Sequence, residues 1–311
     1  MLNQSSIAFG LAAATLVAVF PAIAQDVPGI PTPAAPVASA APPPEEQAAG
    51  MGDINLFPKR IVIDGRRSIA NIGLYNKTVN AGDYEISIID MAMTSDGKLL
   101  GRDNGATDED FARLNPAKPF LRYSPRRVTL NGSESQTIRM MARAGSDIAP
   151  GEYRSHFLAV SVPRDENAGF SIDQAANATP ADGIGVTIRP RFGISIPVIV
   201  RIGETTLDVD IADTAIVTDP GGIRSLRITL TRSGTRSAYG DIAVNAPSLD
   251  EPLGLLKGIG IYTEVDARTV TVPFDTQGIA QLAPGTPLTI TFTDDDADPG
   301  KTLATSTLTL P

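Results

Sequence analysis

Short runs of alternating apolar and polar residues, separated by turn-forming dipeptides, recur along the chain from about residue 53 onward. The first part of this region holds seven runs: LFPKRIVIDG, SIANIGLYN, DYEISIIDMAM, FLRYSPRRVTL, SQTIRMMARA, YRSHFLAVSVP and GIGVTIRPRFGISIPVIVR. Turn signals such as Asp64-Gly65 and Asn131-Gly132 lie between them. Seven β-strands in about 150 residues are typical of an immunoglobulin-like β-sandwich.

The pattern restarts after Arg201 and predicts a second, smaller β-domain. Its runs are TLDVDIA, IRSLRITLTR, DIAVNA, KGIGIYTEV, RTVTVPF, PLTITFT and TSTLTL. One short helix is predicted at Thr107–Leu114, with Thr107 as its N-cap and acidic residues in its first turn. The predicted fold class is therefore all-β, with two tandem immunoglobulin-like sandwiches at residues 53–200 and 201–311.

The N-terminal residues predict export rather than folded structure. Residues 7–20 are apolar, and Ala22-Ile23-Ala24 forms a small-residue cleavage pattern, which predicts a signal peptide over residues 1–24. The opening MLNQSS lacks Lys and Arg, so a retained N-terminal anchor stays open as the alternative. Residues 25–52 are rich in Pro and Ala and predict a disordered tether. No later segment predicts a membrane span, so we expect the mature chain to be soluble.

Composition removes several classes of function. The chain has no cysteine and one histidine, His156, which excludes disulfides, thiolate metal sites and multi-histidine sites. A net charge of −9 argues against nucleic acid as a partner. His156 lies on a predicted strand and no G-x-S-x-G motif is present, so we expect neither enzyme activity nor a cofactor. Arginine outnumbers lysine by 20 to 6, which favours forked hydrogen bonds to carboxylates.

Two acidic segments could suggest binding sites, but a structural role explains each of them better. Asp294–Gly300 resembles a calcium loop, but Pro299 and Thr305 stand where such a loop needs Gly and Glu. The segment lies between two predicted strands, so a hairpin turn is expected there and no metal site. Asp103–Asp110 is interpreted as a solvated loop leading into the capped helix.

The last strand of the first domain has the features of an exposed edge. Ile184, Val186 and Ile188 alternate with small or polar residues, which predicts one apolar face. Pro190 and Pro197 cannot donate to a β-ladder, so this strand is predicted to lie at a sheet edge. Such an edge needs either a partner strand or charges that block aggregation.

Arginines accompany this edge at both ends of the first domain. Arg60 lies in PKRIVIDG near the start of the domain, and Arg189 and Arg191 lie near its end. The first and last strands of a sandwich commonly approach each other, so these residues are candidates for one shared site.

With these residues in place, the chain resembles the PapD-like periplasmic chaperones of the chaperone–usher pilus pathway. The resemblance covers most of residues 54–200. Its segments are PKRIVIDG with IGLYN downstream, YSPRRVTLNGSESQTIRM, APGEYRSHFLAVSVP and a final alternating strand that runs into IPVIV. The chain departs from the family at Ile196, because many members carry a basic residue before this proline that forms an interdomain ion pair.

The resemblance implies a function. A PapD-like chaperone lends its edge strand to an incomplete pilus or surface-coat subunit, which it passes to an outer-membrane usher. Here it implies a donor strand with Ile184, Val186 and Ile188, and a carboxylate anchor formed by Arg60 with Arg191, Arg189 being the reserve candidate. It also implies a periplasmic location. Two alternatives stay open: a secreted structural or pilus component, and a sugar-binding or enzymatic module, for which aromatic residues are scarce at 5%.

Overall fold

The computed structural model describes residues 54–162 and 191–311. The predicted signal peptide and tether lie outside these ranges, as do Ile184, Val186, Ile188 and Arg189. No helix within the described ranges combines the length and apolar character needed to cross a bilayer.

The first β-sandwich contains most of the strands of residues 54–202. In chain order the strands are β1 Ile54–Phe57, β2 Ile61–Asp64, β3 Arg67–Asn76, β4 Gly82–Ile89, β5 Ala92–Met93, β6 Leu99–Leu100, β7 Leu121–Ser124, β8 Arg127–Leu130, β9 Ser135–Arg143, β10 Gly151–Val162 and β11 Gly193–Ile202. One sheet has the order β1-β3-β9-β7 and the other the order β2-β11-β10-β4-β8, while β5 and β6 form a separate hairpin.

Alternation along these strands builds one core between the two sheets. Leu56, Ile72 and Ile138 from the first sheet pack with Phe157 and Val198 from the second, and all five are fully buried. The predicted sandwich is confirmed. Fully burying one such side chain stabilises the fold by about 1.5–3 kcal/mol.

Three of the predicted strands are each two strands in the structure: DYEISIIDMAM covers β4 and β5, and the other two divide at a proline. LFPKRIVIDG divides into β1 and β2 around Pro58, and FLRYSPRRVTL divides into β7 and β8 at Pro125. In both cases the two halves belong to opposite sheets. Because proline has no N–H to donate to a ladder, the chain leaves one sheet at these positions and joins the other.

The insertion between β4 and β7 carries the predicted helix. Helix α1 spans Asp108–Ala112, and the Thr107 side chain accepts a hydrogen bond from the Asp110 backbone N–H. The Asp110 carboxylate accepts in return from the Thr107 backbone N–H. The predicted cap is therefore confirmed. Two 3-10 helices, Arg102–Asn104 and Lys118–Phe120, flank this helix.

The second sandwich has the seven strands predicted for it. They are β12 Leu207–Thr218, β13 Arg224–Gly234, β14 Ala238–Asn245, β15 Gly254–Ile261, β16 Ala267–Pro273, β17 Pro287–Asp294 and β18 Thr302–Thr309. Their sheets have the orders β12-β13-β16 and β15-β14-β17-β18. A short helix, α2 at Thr276–Ala280, was not predicted and begins at the N-cap Asp275.

A small apolar cluster joins the two sandwiches. Met93 from the β5–β6 hairpin and Ile199 from β11 are buried with Tyr262, which follows β15. Because this cluster includes residues of both sandwiches, it brings the polar side chains of the junction close together.

Candidate functional site

Arg60 lies at the junction of the two sandwiches, in the turn between β1 and β2. Its side chain is 9% exposed, and its Nη2 donates to Asp296 Oδ2 at 3.0 Å. The guanidinium carbon lies 4.5 Å from the centre of the Tyr239 ring and 5.9 Å from that of Tyr262. Its Nε and Nη1 are buried without a hydrogen-bond partner. The predicted anchoring residue is thus a buried cation with unused donors.

Asp296 is the acidic residue on which two arginines of the first sandwich converge. It follows β17, in the acidic segment Asp294–Gly300, and the expected hairpin turn is confirmed there by the pairing of β17 with β18. Its carboxylate also accepts from both terminal nitrogens of Arg201. Burial alone would raise the pKa of Asp296, but the hydrogen bond from Arg201 and the charge of Arg60 outweigh burial and lower that pKa.

Arg201 is a junction residue that the sequence analysis did not identify. It lies near the end of β11, and its Nε donates at 3.0 Å to Glu152 Oε2 on the paired strand β10. Arg201 therefore connects an acidic residue of each sandwich. Ile196 stands where the resemblance predicts a basic residue. Arg201, five positions later, forms the ion pair with the second domain. The sequence signal for Arg201 was its position as a charged residue directly after the apolar run Val198-Ile199-Val200.

A second buried ion pair lies beside the first. Arg154 on β10 and Glu264 after β15 are 2% and 1% exposed, and Arg154 donates to the Glu264 carboxylate. Glu264 also accepts from the Met93 backbone N–H at 2.9 Å. The Arg154 guanidinium lies 3.9 Å from the centre of the Tyr262 ring. Arg154 and Arg60 therefore both contact the Tyr262 ring.

His156 is completely buried next to Arg154. Its ring nitrogens lie 3.3 Å from Arg154 Nη1. Burial first, and the charge of Arg154 second, lower the pKa of His156 to about 3. The lowered pKa keeps the ring neutral near neutral pH.

The arginines that the first sandwich buries at the junction each have a carboxylate partner. Three buried arginines, Arg60, Arg154 and Arg201, face the three carboxylates of Glu152, Glu264 and Asp296. Each carboxylate is hydrogen-bonded, as the burial of a charge requires. The second sandwich adds the buried charges of Arg232 and Asp294, so these three pairs are part of a larger charge network.

The exposed side of the junction has a separate ion pair. Arg113, at the end of α1, donates to both oxygens of Asp266 at 2.7 Å. The Ser95 carbonyl also accepts from the Thr269 N–H at 3.1 Å. The insertion between β4 and β7 thus contacts the second sandwich at several points.

The structure does not bring Arg191 to Arg60. Arg191 is exposed just before β11, where it lies 3.5 Å from Glu85 and donates to the Ser161 carbonyl. Ten residues of extended chain, roughly 33 Å, separate it from Arg201. One terminal carboxylate cannot contact Arg60 and Arg191 together, so the predicted pair needs a correction. The two arginines are kept apart because the pairing of β11 with β10 holds this part of the chain extended.

Strand β11 has an open edge. On one side it pairs with β10 from Gly193 to Ile202, whereas on the other side β2 pairs only with Val198–Arg201. Among the described residues, nothing pairs with Gly193–Pro197 on that second side. Phe192, immediately before the strand, is 47% exposed. The predicted edge position is therefore visible in the described part of the strand.

Acidic residues are also used structurally at the β17–β18 turn. The buried carboxylate of Asp294 accepts from the backbone N–H groups of Asp296 and Asp298, and so holds the turn in place. Within the described residues, no group of three or more His, Cys, Asp and Glu side chains is arranged to hold a metal ion.

Comparison with known proteins gives similarities to solved structures only. No protein-family model and no curated protein matches the chain. The YadV chaperone is 14% identical, with 83% of this chain and 100% of that chain covered and a TM-score of 0.42. The E. coli chaperone DraB is 12% identical, with 83% and 96% covered and a TM-score of 0.38.

A third structure is the CsuC–CsuE complex of a chaperone and a tip adhesion subunit, from the archaic chaperone–usher Csu pili of Acinetobacter baumannii. A chain of that complex is 11% identical, with 83% of this chain and 98% of that chain covered and a TM-score of 0.39. The comparisons thus report a low-identity similarity to solved chaperone structures.

Proposed function

We propose that this protein is a periplasmic chaperone that stabilises a pilus, fimbrial or surface-coat subunit by lending it an edge strand. The observation that carries the proposal is the open edge of β11 over Gly193–Pro197. An unpaired edge in an otherwise paired sheet offers its backbone N–H and C=O groups to an incoming strand.

The donated strand would extend beyond the described part of β11. Ile184, Val186 and Ile188 precede it, and their alternation would fill a groove in the partner. Ile196 in β11 is buried in the sandwich's own core and Ile194 packs against that core. The residues that enter the partner are therefore proposed to be the earlier ones, while β11 itself fixes the direction of the strand.

Arg60 is the proposed anchor for the partner's C-terminal carboxylate. Among the described residues of the predicted set, Arg60 lies at the junction and Arg191 does not, and the Nε and Nη1 of Arg60 are buried without a hydrogen-bond partner. The partner's carboxylate would compete for Arg60 with Asp296, which already accepts a hydrogen bond from it. Arg191, and Arg189 before it, would then contact the partner only along the donated strand.

Export to the periplasm and delivery to an outer-membrane usher complete the proposal. Both rest on the sequence: the first on the apolar N-terminus, and the second on the resemblance. The function requires neither a cofactor nor catalytic chemistry.

Site-specific photo-crosslinking in the full chain tests the strand donation. A photoreactive amino acid replaces Phe192, beside the open edge, and in a matched control it replaces Leu255, which is similarly exposed on β15 of the second sandwich. We expect a subunit adduct from position 192 and none from position 255. Equal adducts at both positions, or adducts only between copies of this chain, would reject the chaperone in favour of a structural surface component.

Anchoring is tested separately with the partner's C-terminal peptide. Asp296→Asn keeps the shape of the side chain and removes the competing charge. In the fraction that stays folded despite the lost ion pairs, measured by circular dichroism, we expect tighter binding of the peptide with a free carboxylate. The same peptide with an amidated C-terminus should bind both proteins equally weakly. Unchanged affinity for the free carboxylate would reject Arg60 as the anchor.

A further inference from the structure

The outer face of the β1-β3-β9-β7 sheet carries an unusual concentration of arginines. In the first row, Arg67 of β3 lies opposite Arg143 of β9. In the second row, Ile69 of β3 lies opposite Met141 of β9, which in turn lies opposite Arg122 of β7. The next row contains Arg139 between Asn71 and Ser124. We call these three rows the arginine face. All four of its arginines are exposed, although the chain has a net charge of −9.

None of these four arginines forms an ion pair with a described residue. Arg122 donates to two backbone carbonyls, and Arg143 contacts the sulfur of Met141. No carboxylate lies in any of the three rows. Arg67 and Arg143 are direct cross-strand neighbours, and like charges in that position destabilise a sheet. A bound anion would relieve this repulsion.

The centre of the arginine face is apolar. Ile69 is 46% exposed and lies next to Met141. An open groove of about 610 Å³ is lined here by Arg67, Ile69, Met141 and Arg143. A ligand that fits this surface therefore carries both negative charge and an apolar group.

The backbone beside the arginine face is also unpaired. Strand β1 pairs with β3 only at Gly73–Asn76 and ends at Phe57, whereas β9 pairs with β3 from Arg67 onward. On the side away from β9, no strand within the described residues pairs with residues 67–72 of β3. A free edge of six residues, about 20 Å long, thus lies beside the groove.

The geometry points to a docking site for an acidic, extended segment of a partner polypeptide, added to the sheet beside β3 in line with β1. Strand addition would satisfy the free edge. Because alternate side chains of a strand lie on one face, the segment would place a carboxylate opposite Arg67 and an apolar side chain two residues away, opposite Ile69. Arginine binds carboxylates through two parallel hydrogen bonds, which suits this face.

A polypeptide fits these features better than other anions do. A phosphate or a lipid headgroup would use the arginines, but it would leave the backbone groups of β3 unpaired. The site is also independent of the proposed strand donation, because β11 belongs to the other sheet of the sandwich.

The test measures peptide binding to the full chain by fluorescence anisotropy. The probe is an acetylated peptide of about nine residues, a usual strand length, in which Glu and Val alternate on one face and Thr fills the other. We expect saturable binding that weakens with added salt. Arg67→Ser with Arg143→Ser should weaken it by about tenfold or more, because two charge-assisted contacts are lost. These exposed changes should leave folding intact.

Matched controls separate this site from general charge effects. Arg227→Ser with Lys257→Ser removes the same charge from exposed positions in the second sandwich and should leave peptide binding unchanged. A peptide with Gln in place of Glu, and one N-methylated at alternate backbone amides, should both bind poorly. Absence of binding, equal binding by the two double variants, or full binding of the N-methylated peptide would overturn the proposal. Binding to anionic phospholipid vesicles without peptide binding would overturn it as well.

Discussion

Arg60 of the first sandwich donates a hydrogen bond at 3.0 Å to Asp296 of the second, across 236 positions of sequence. Both side chains are at least nine-tenths buried. Arg201 donates to the same carboxylate, so two cations of one domain converge on one anion of the other. A charge network therefore links the two sandwiches, beside the small apolar cluster around Tyr262.

Removing the shared carboxylate should destabilise the protein strongly. Asp296→Ala leaves Arg60 buried without its charge partner and takes one of two partners from Arg201, and breaking a buried pair in this way costs about 3–5 kcal/mol. Asp298→Ala, two residues later and exposed, should leave the free energy of unfolding nearly unchanged. Denaturant unfolding of both variants measures the contrast, and similar midpoints for the two would contradict it.

The Arg154–Glu264 and Arg113–Asp266 pairs should contribute different amounts to the free energy of unfolding. Arg154→Ala removes a fully buried partner of Glu264 and should cost about 3–5 kcal/mol. Arg113→Ala breaks a well-formed but exposed pair with Asp266 and should cost about 1 kcal/mol or less. Urea unfolding of the two variants ranks them. A larger loss for Arg113→Ala would mean that the insertion, rather than the buried junction, holds the domains together.

Stability should fall as the pH drops below about 6.5, because of His156. Its pKa is lowered to about 3 in the folded protein from an ordinary value of 6.5, so the unfolded chain binds the proton more readily. The unfolding free energy therefore rises with pH between these values, with a slope of up to about 1.4 kcal/mol per pH unit. The contribution is fully present above pH 6.5 and is lost progressively on acidification.

The single histidine makes this pH dependence easy to assign. Unfolding free energies at pH 7, 6 and 5 should decline in the wild type, and His156→Asn should flatten that decline whatever its absolute stability. The test depends on the slope alone, so general destabilisation by the variant does not confuse it. An unchanged slope would show that other groups cause the pH dependence.

The proposed donor strand makes a prediction about residues outside the described ranges. Val186→Asp should abolish partner binding, because it would place an unpaired charge in the partner's apolar groove. It should barely change the melting temperature of the free protein. Thr187→Asp, on the opposite face, should disturb the sandwich more than it disturbs binding. The reverse pattern, measured by melting and by partner capture, would place the apolar row in the protein's own core.

The sequence predicted local features well wherever local chemistry decides them. Alternation located all seven strands of the second sandwich, and Thr107 followed by acidic residues predicted the cap of α1. Pro58 and Pro125 are also evident in the sequence, but alternation did not predict that each divides a strand between the two sheets. A proline in the sequence indicates where the hydrogen bonds of a β-ladder stop. Only the packing of the two sheets determines that the chain then continues in the opposite sheet.

The candidate site was predictable only in part for a related reason. Arg60 was identified from its sequence context, yet Arg201 and Asp296 were not, because both stand in segments that have adequate local explanations. Arg201 ends an apolar strand, and Asp296 lies in an acidic turn. Their pairing requires the relative placement of two domains.

Composition and periodicity by themselves determined that this chain folds as β-sandwiches without cysteine chemistry, since strand patterning and residue inventory act locally. The tertiary structure alone decided which charges are buried together. An arginine side chain is stable either hydrated at the surface or paired with a carboxylate. Which of the two states it adopts depends on whether folding removes water from the arginine and the carboxylate. At Arg60, Arg201 and Asp296 the junction does so, and that burial makes their pairing obligatory.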